Sequence, residues 1–191
     1  MCILPNLPDA DKIKFISCCR DLYKIKPIIK FDDYYHYANM DKLGMVNQCR
    51  NLIHIITDDN INQLTMKNIR YLKLYTQRQF IKHKLPINIT KLEISRIFEQ
   101  DIGPFIPDAL EELILCDYDK PIRKFLPPTL KTLKFIHTHK NVIKHQIAPN
   151  VTNLALGDYD GSLGKWLPNN LKYLDVGKFF RLFGNLSLIH I

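Results

Sequence analysis

Cysteine is too sparse and too irregularly placed in this chain to staple it. Cys2, Cys18, Cys19, Cys49 and Cys116 are an odd set of 5 in 191 residues, with one adjacent pair and no shared spacing. A disulfide frame is therefore not expected. Zinc-finger spacing is missing too. His137 and His139 could share one face of a strand, but with His145 they offer no fourth ligand, and no metal or other cofactor is expected. No stretch reaches the roughly 18 apolar residues of a membrane span. The start, Met1-Cys2-Ile3-Leu4-Pro5-Asn6, has neither the basic nor the apolar region of a secretory signal, so a reduced, cytoplasmic protein is expected. Gly-rich phosphate loops, His-Glu-x-x-His and Gly-x-Ser-x-Gly are all wanting, so the chain is not read as an enzyme. Asp58/Asp59 and Asp158/Asp160 could pose as acid pairs. They fall where turns are expected, and Asp serves turns by bonding nearby backbone N–H groups.

A formal charge of +8 raises the question of nucleic acid. A phosphate-binding footprint is localised, whereas these Lys and Arg residues run along the whole chain among Asp and Glu. Ile, Lys, Asn and Tyr are plentiful, the imprint of an AT-rich genome. A nucleic-acid partner is not expected.

What the chain does have is a period. The pattern apolar-x-x-Leu-x-apolar occurs as Ile69-x-x-Leu72-x-Leu74, Ile89-x-x-Leu92-x-Ile94 and Leu110-x-x-Leu113-x-Leu115. It continues as Leu130-x-x-Leu133-x-Phe135, Val151-x-x-Leu154-x-Leu156 and Leu171-x-x-Leu174-x-Val176. The first positions are 20, 21, 20, 21 and 20 residues apart. An apolar-Pro pair precedes each start at Leu85-Pro86, Ile106-Pro107, Leu126-Pro127 and Leu167-Pro168, with Ile147-Ala148-Pro149 displaced by one. Proline has no N–H to give a ladder, so it marks the point just outside a strand. Phe105, Phe125 and Trp166 come before three of the prolines and are read as stacked core residues.

Alternation within each unit turns the Leu column inward and its neighbours outward. One such strand cannot bury its apolar side. Stacking aligns Leu72, Leu92, Leu113, Leu133, Leu154 and Leu174 into a continuous column. Six parallel rungs about 4.8 Å apart make a ladder of roughly 25 Å, and a period near 20 leaves no room for a long return helix. The expected fold is a mainly β, leucine-rich-like solenoid over residues 45–191, with irregular connections and a small helical cap over 1–44, α+β overall.

Between the strands, Asp117-Tyr118-Asp119-Lys120-Pro121-Ile122, Gly157-Asp158-Tyr159-Asp160 and Ile97-Phe98-Glu99-Gln100 share one phase. With the Pro-x-x-apolar-x-x-Leu-x-apolar half, this resembles the FNIP repeat, a short leucine-rich-like unit of giant amoebal DNA viruses and social amoebae. Phe98, Tyr118, Tyr159 and Phe179 stand at the aromatic position, Asp119 and Asp160 replace the Asn, and Pro121 keeps the final Pro. The resemblance covers about residues 52–183. It implies a repeat scaffold that binds proteins, in host cytoplasm where the member is viral. Asn88-Ile89-Thr90 and Asn150-Val151-Thr152 have the form of glycosylation sequons. They fall at the turn-to-strand position and are expected to be unmodified.

Residues 9–26 are predicted to form one helix with Ile13, Ile16, Cys19, Leu22 and Tyr23 on its apolar face, capped by Asp9 or Asp11 and stopped by Pro27. A second helix is predicted over about 33–43, closed by Gly44. Two readings of this head stay open. It is a cap for the first rung, or it is a truncated F-box, because Pro8-Asp9-Ala10-Asp11 through Leu22-Tyr23 resembles the second half of that motif. The latter implies docking to a Skp-type adaptor and a role as substrate-recognition subunit of a cullin ubiquitin ligase. At the other end, Phe179 through Ile191 is apolar with no polar cap, and an open last rung is expected.

The outward strand residues are the candidate partner-binding face: Tyr71, Lys73, Tyr75, Lys91, Glu93, Glu112, Ile114, Thr132, Lys134, Asn153, Ala155, Tyr173 and Asp175. Mixed charge with aromatics at both ends suits a protein or peptide better than a polyanion. A structural family copy with no activity is the alternative.

Overall fold

Each repeat unit delivers one short parallel strand, and the strands stack in chain order. A computed structural model describes residues 6–57, 69–75, 85–94, 101–118, 126–137, 147–157, 167–177 and 188–190. Among the described residues its sheet has nine strands, which pair in chain order. They are β1 (Phe31–His36), β2 (Cys49–Thr57), β3 (Ile69–Tyr75), β4 (Lys91–Ile94), β5 (Glu112–Cys116), β6 (Thr132–Ile136), β7 (Asn153–Ala155), β8 (Tyr173–Asp175) and β9 (Leu188–His190). Every pairing from β1 to β8 is parallel, and β9 closes the series antiparallel to β8. No described helix is long and apolar enough to cross a membrane.

The leucine column forms as expected. Leu72, Leu92, Leu113, Leu133, Leu154 and Leu174 are mutual register partners across five pairings, and all are buried. Ile69, Ile89, Leu110, Leu130, Val151 and Leu171 join the same core, as do Leu74, Ile94, Leu115 and Phe135. Tyr118, at the aromatic position of the unit, is fully buried there, and Phe105 packs against that core. Phe98, Phe125, Tyr159, Trp166 and Phe179 lie outside the described residues. So do Cys2, Asp58/Asp59, Asp158/Asp160, His139, His145 and most of the connections between strands.

The proline positions are turns that launch each strand. The N–H groups of Ile89, Leu110, Leu130 and Leu171 donate to the carbonyls of Pro86, Pro107, Pro127 and Pro168 three residues earlier, and Val151 donates to Ala148 where the proline is displaced. The last turn residue stitches one unit to the one before. Asn150 donates its side-chain amide to the Pro128 carbonyl at 2.7 Å, Asn170 does so to Pro149, and Thr129 reaches the Asp108 carbonyl at 2.7 Å. The sequon residue Asn150 thus has a structural employment.

A left-handed residue ends each of four strands: Asp117 (φ 54), His137 (φ 57), Gly157 (φ 60) and Gly177 (φ 56). A Cβ on Gly177 would lie 1.8 Å from the Gly157 carbonyl oxygen. Gly177→Ala is expected to lose more than the roughly 1–2 kcal/mol of an ordinary left-handed residue, because the two turns must separate. Asp117→Gly is expected to gain about 0.5 kcal/mol, since relief of the left-handed strain slightly exceeds glycine's entropy cost. Denaturant midpoints of the two variants check both signs.

The N-terminal residues depart from expectation in three ways. The single helix is broken: α1 (Asp9–Ser17) and α2 (Arg20–Lys24) meet at Cys18–Cys19, and Pro27 lies inside a 3-10 turn, Lys26–Ile28. Ile16 is buried, but Ile13 and Cys19 are exposed. Asp9 does not cap the helix. Pro8 is at the cap, and the Asp9 carboxylate is instead buried with Lys12 against β1. Finally, the helix predicted over 33–43 is a strand for its first part. Only α3 (Tyr37–Lys42) is helical, with Gly44 at φ 63 beyond it. Ile16, Ile29, Phe31, Met45, Cys49 and Leu52 form a second core beneath these elements, separate from that of the repeats. The last rung is also not open as expected, because β9 pairs along β8, with Leu174 opposite Ile189.

Candidate functional site

The register that aligns the leucines also aligns what faces away from them. Tyr71, Lys91, Glu112, Thr132, Asn153 and Tyr173 form one outward column. Lys73, Glu93, Ile114, Lys134, Ala155 and Asp175 form a second beside it. Tyr75 follows on β3, opposite Thr57. All the predicted face residues are therefore on one side of one sheet. Most are half-buried and Lys134 is exposed. Ile114 is only 8% exposed, covered within the chain, and offers a partner little surface.

Two carboxylates organise the ions of this face. Glu93 accepts from the Tyr71 hydroxyl and, at 3.0 Å, pairs with the Lys73 ammonium. Glu112 lies between Lys91 at 3.1 Å and Lys134 at 3.0 Å. The Tyr71 ring carries the Lys91 ammonium at 4.6 Å and the Lys73 ammonium at 5.1 Å from its centroid, a cation–π arrangement. Each ion pair joins adjacent rungs, so the pairs are the cross-strand contacts that stabilise a sheet.

Burial raises the Glu93 carboxyl, but the Tyr71 hydroxyl and the Lys73 and Lys91 cations more than reverse this and hold it below 4.5. Glu112 is likewise lowered, burial being outweighed by Lys134 and Lys91. Burial and the bond to Glu93 push the Tyr71 hydroxyl up to about 12. For Lys73, burial acts downward and the bonds to Glu93 and Tyr71 prevail, so its ammonium is held above the usual range. A carboxyl lowered by folding adds stability that is present above its unfolded value and is lost as pH falls through the folded value. Stability is therefore expected to decline below pH 4.5, and Glu93→Gln with Glu112→Gln should flatten that limb of the curve. Denaturation midpoints measured across the acid range test this.

One feature of the face is invisible in the pattern of a single unit. The Thr90 carbonyl accepts from both Glu111 and Glu112 N–H, and the Glu111, Lys131 and Thr152 carbonyls each accept two consecutive N–H groups from the next rung in the same way. This shared acceptor recurs at the entry to each of these strands, with the register beyond it unbroken. Thr90, Glu111, Lys131 and Thr152, whose carbonyls these are, line an open groove of about 270 Å³ together with Lys91, Glu112, Thr132, Asn153 and Tyr34. Lys131 pairs with Glu111 at 3.3 Å, so the groove's charged lining is internally balanced. Sequence reasoning missed this column, although its polar residues keep the period of the leucines. It missed Tyr34 as well, whose ring is edge-on to Tyr71 at 6.5 Å, because that residue was assigned to a helix. Asp175 serves locally, accepting from the Gly177 N–H at 2.8 Å.

Comparison with known proteins gives this architecture relatives. Residues 98–138 match the family described as FNIP Repeat. The chain is 99% identical over 153 residues to an FNIP repeat-containing protein of Acanthamoeba polyphaga mimivirus, covering 80% of this chain and 35% of that one. An F-box and FNIP repeat-containing protein of the same virus is 36% identical over 53 residues, 28% of this chain and 18% of its own. A further FNIP repeat-containing protein of that virus is 24% identical over 113 residues, 59% of this chain and 24% of its own. The chain spans about a third or less of the length of these relatives. No solved structure matches it.

Proposed function

This chain belongs among the FNIP-repeat proteins, and on that premise we propose that it is a non-catalytic interaction module that holds a partner protein on the outward face of its sheet. The observation that carries this reading is the charge arrangement of the face. Lys73, Lys91 and Lys134 are each committed to Glu93 or Glu112. A polyanion would have to displace carboxylates to reach them, whereas a protein surface of mixed charge and apolar contact meets the face as it stands. Tyr34, Tyr71 and Tyr75 at one end supply the rigid aromatic area that anchors such contacts.

The test is capture by the tagged full chain and by a Tyr71→Ala, Lys73→Ala double variant. The two side chains face outward, so the variant is expected to keep its far-ultraviolet spectrum and melt cooperatively while losing at least tenfold in affinity for the captured protein. Undiminished capture by the folded variant would remove the partner from this face. Capture of nothing by the folded wild type would favour a structural copy without activity.

A second reading has one observation in its favour: a relative is named for an F-box as well as for FNIP repeats. In that reading the head docks a Skp-type adaptor of a cullin ubiquitin ligase. Deleting residues 1–44 would remove β1 and uncover β2, so point changes are the better probe. Ile13 and Phe15 of α1 are exposed. Ile13→Asp with Phe15→Asp should abolish binding to a purified Skp-type adaptor; no binding by the unaltered chain would end this reading.

A further inference from the structure

His54 interrupts the leucine column. On β2 it is the register partner of Leu72, the place where the following rungs carry leucine. It is 5% exposed, and its Nε2 has no hydrogen-bond partner among the described residues. It also stands at a seam. Leu52, two residues earlier, belongs to the core of the head, and its register partner Ile69 belongs to the core of the repeats. The β2–β3 pairing that joins the two cores therefore has an imidazole in its interior.

We propose that His54 is a pH-sensitive latch between the head and the repeat solenoid, closed while the ring is neutral and loosened when the ring gains a proton. An imidazolium at this place would put a full charge between apolar faces. The described groups around it supply no countercharge. From α3 comes the Tyr37 ring, edge-on at 5.2 Å. From β3 comes Leu72, and β1 contributes His36 opposite the neighbouring Ile53. Burial alone accounts for the lowered affinity of the ring for a proton, with no carboxylate acting on it. Because the opened state titrates near 6.5 and the closed state lower, the opened state binds more protons between those values. Opening is thus favoured by up to about tenfold per unit as pH falls below 6.5.

Hydrogen–deuterium exchange of the full chain tests the latch at about pH 7.5 and about pH 5.5, a range that brackets an ordinary histidine. Wild type is compared with His54→Leu and His54→Gln at each pH, which cancels the intrinsic pH dependence of exchange. The expected result is that β1 and β2 amides exchange up to about tenfold faster in wild type, relative to either variant, at the lower pH than at the higher one. The ratio for β4 to β7 should not change. An equal ratio at both pH values for β1 and β2, or an equal rise in β4 to β7, would overturn the proposal. His54→Gln cannot take up the proton but keeps a polar side chain, so it carries the comparison if His54→Leu fails to fold. Acid opening in the Gln variant equal to wild type would also overturn the latch.

Discussion

Asp9→Ala is expected to cost about 3–5 kcal/mol, the usual consequence of removing one member of a buried ion pair. Asp9 and Lys12 are 3% and 1% exposed. One carboxylate oxygen accepts from the Lys12 ammonium at 2.9 Å. The other accepts from the Asp32 and Asp33 N–H groups, each at 2.8 Å, and from the Tyr35 hydroxyl at 3.0 Å. Lys12 extends the cluster to the Asp32 carboxylate and the Lys30 carbonyl, both at 3.0 Å. With Asp9 gone, two backbone donors and a hydroxyl lose their acceptor, and the buried ammonium keeps only Asp32 and a carbonyl. The result is read as a fall in the urea midpoint. Asp9→Leu with Lys12→Met should cost less than Asp9→Ala, since an apolar pair leaves no stranded charge. An Asp9→Ala loss below about 1 kcal/mol would mean that water replaces the carboxylate, and the cluster would then not be what fastens α1 to the sheet. The acid limb has a matching sign. Burial raises the Asp9 carboxyl, but its backbone and Lys12 partners hold it below 3.8, so its contribution is present above that value and is lost as pH falls further.

Leu133→Ala is the second large change expected, at about 2–5 kcal/mol, from lost burial plus the cavity left between its neighbours. Leu133 is fully buried between Leu113 and Leu154. Neighbouring rungs are the principal contacts in a solenoid, so a void in the middle weakens two interfaces at once. Leu174→Ala should cost less because it lies one strand from the end of the described sheet, where β9 has β8 as its single pairing partner, whereas both strands flanking Leu133 are themselves paired on their far sides. Thermal or urea denaturation of both variants gives the ranking. Equal losses would show that β8 and β9 pack as rigidly as the centre.

The repeat was legible in the sequence because everything it needs is local and recurs. Alternation, the Pro turn and the leucine period are each contained in one unit of 20 or 21 residues, and six copies averaged out the noise. What escaped notice depends on pairing. Phe31-Asp32-Asp33-Tyr34-Tyr35-His36 has no apolar alternation, and Asp9 reads as an ordinary helix cap. They become a strand and its anchor only when β2 offers an edge and Asp9 accepts the Asp32 and Asp33 N–H groups of β1. The carbonyl shared by two N–H groups is likewise a relation between rungs, so one unit's sequence does not display it. The outward columns of the face followed from alternation alone. Tyr34 did not, because its place beside Tyr71 depends on the unanticipated strand, and the burial of Ile114 is not a matter of alternation, which places it outward.

The stitches at the turns have a consequence for how such a molecule can change length. Asn150, Asn170 and Thr129 each bind a carbonyl one unit back, and each doubled carbonyl bond reaches one unit forward. A segment copied from one proline turn to the next would meet, on either side, the sockets it already fits. Gene duplication inside this array can therefore lengthen the protein while reusing the backbone contacts between units, and recombination between copies can shorten it in the same way. The head and the strand that closes the far edge do not share this freedom, since each is made once and fits one neighbour.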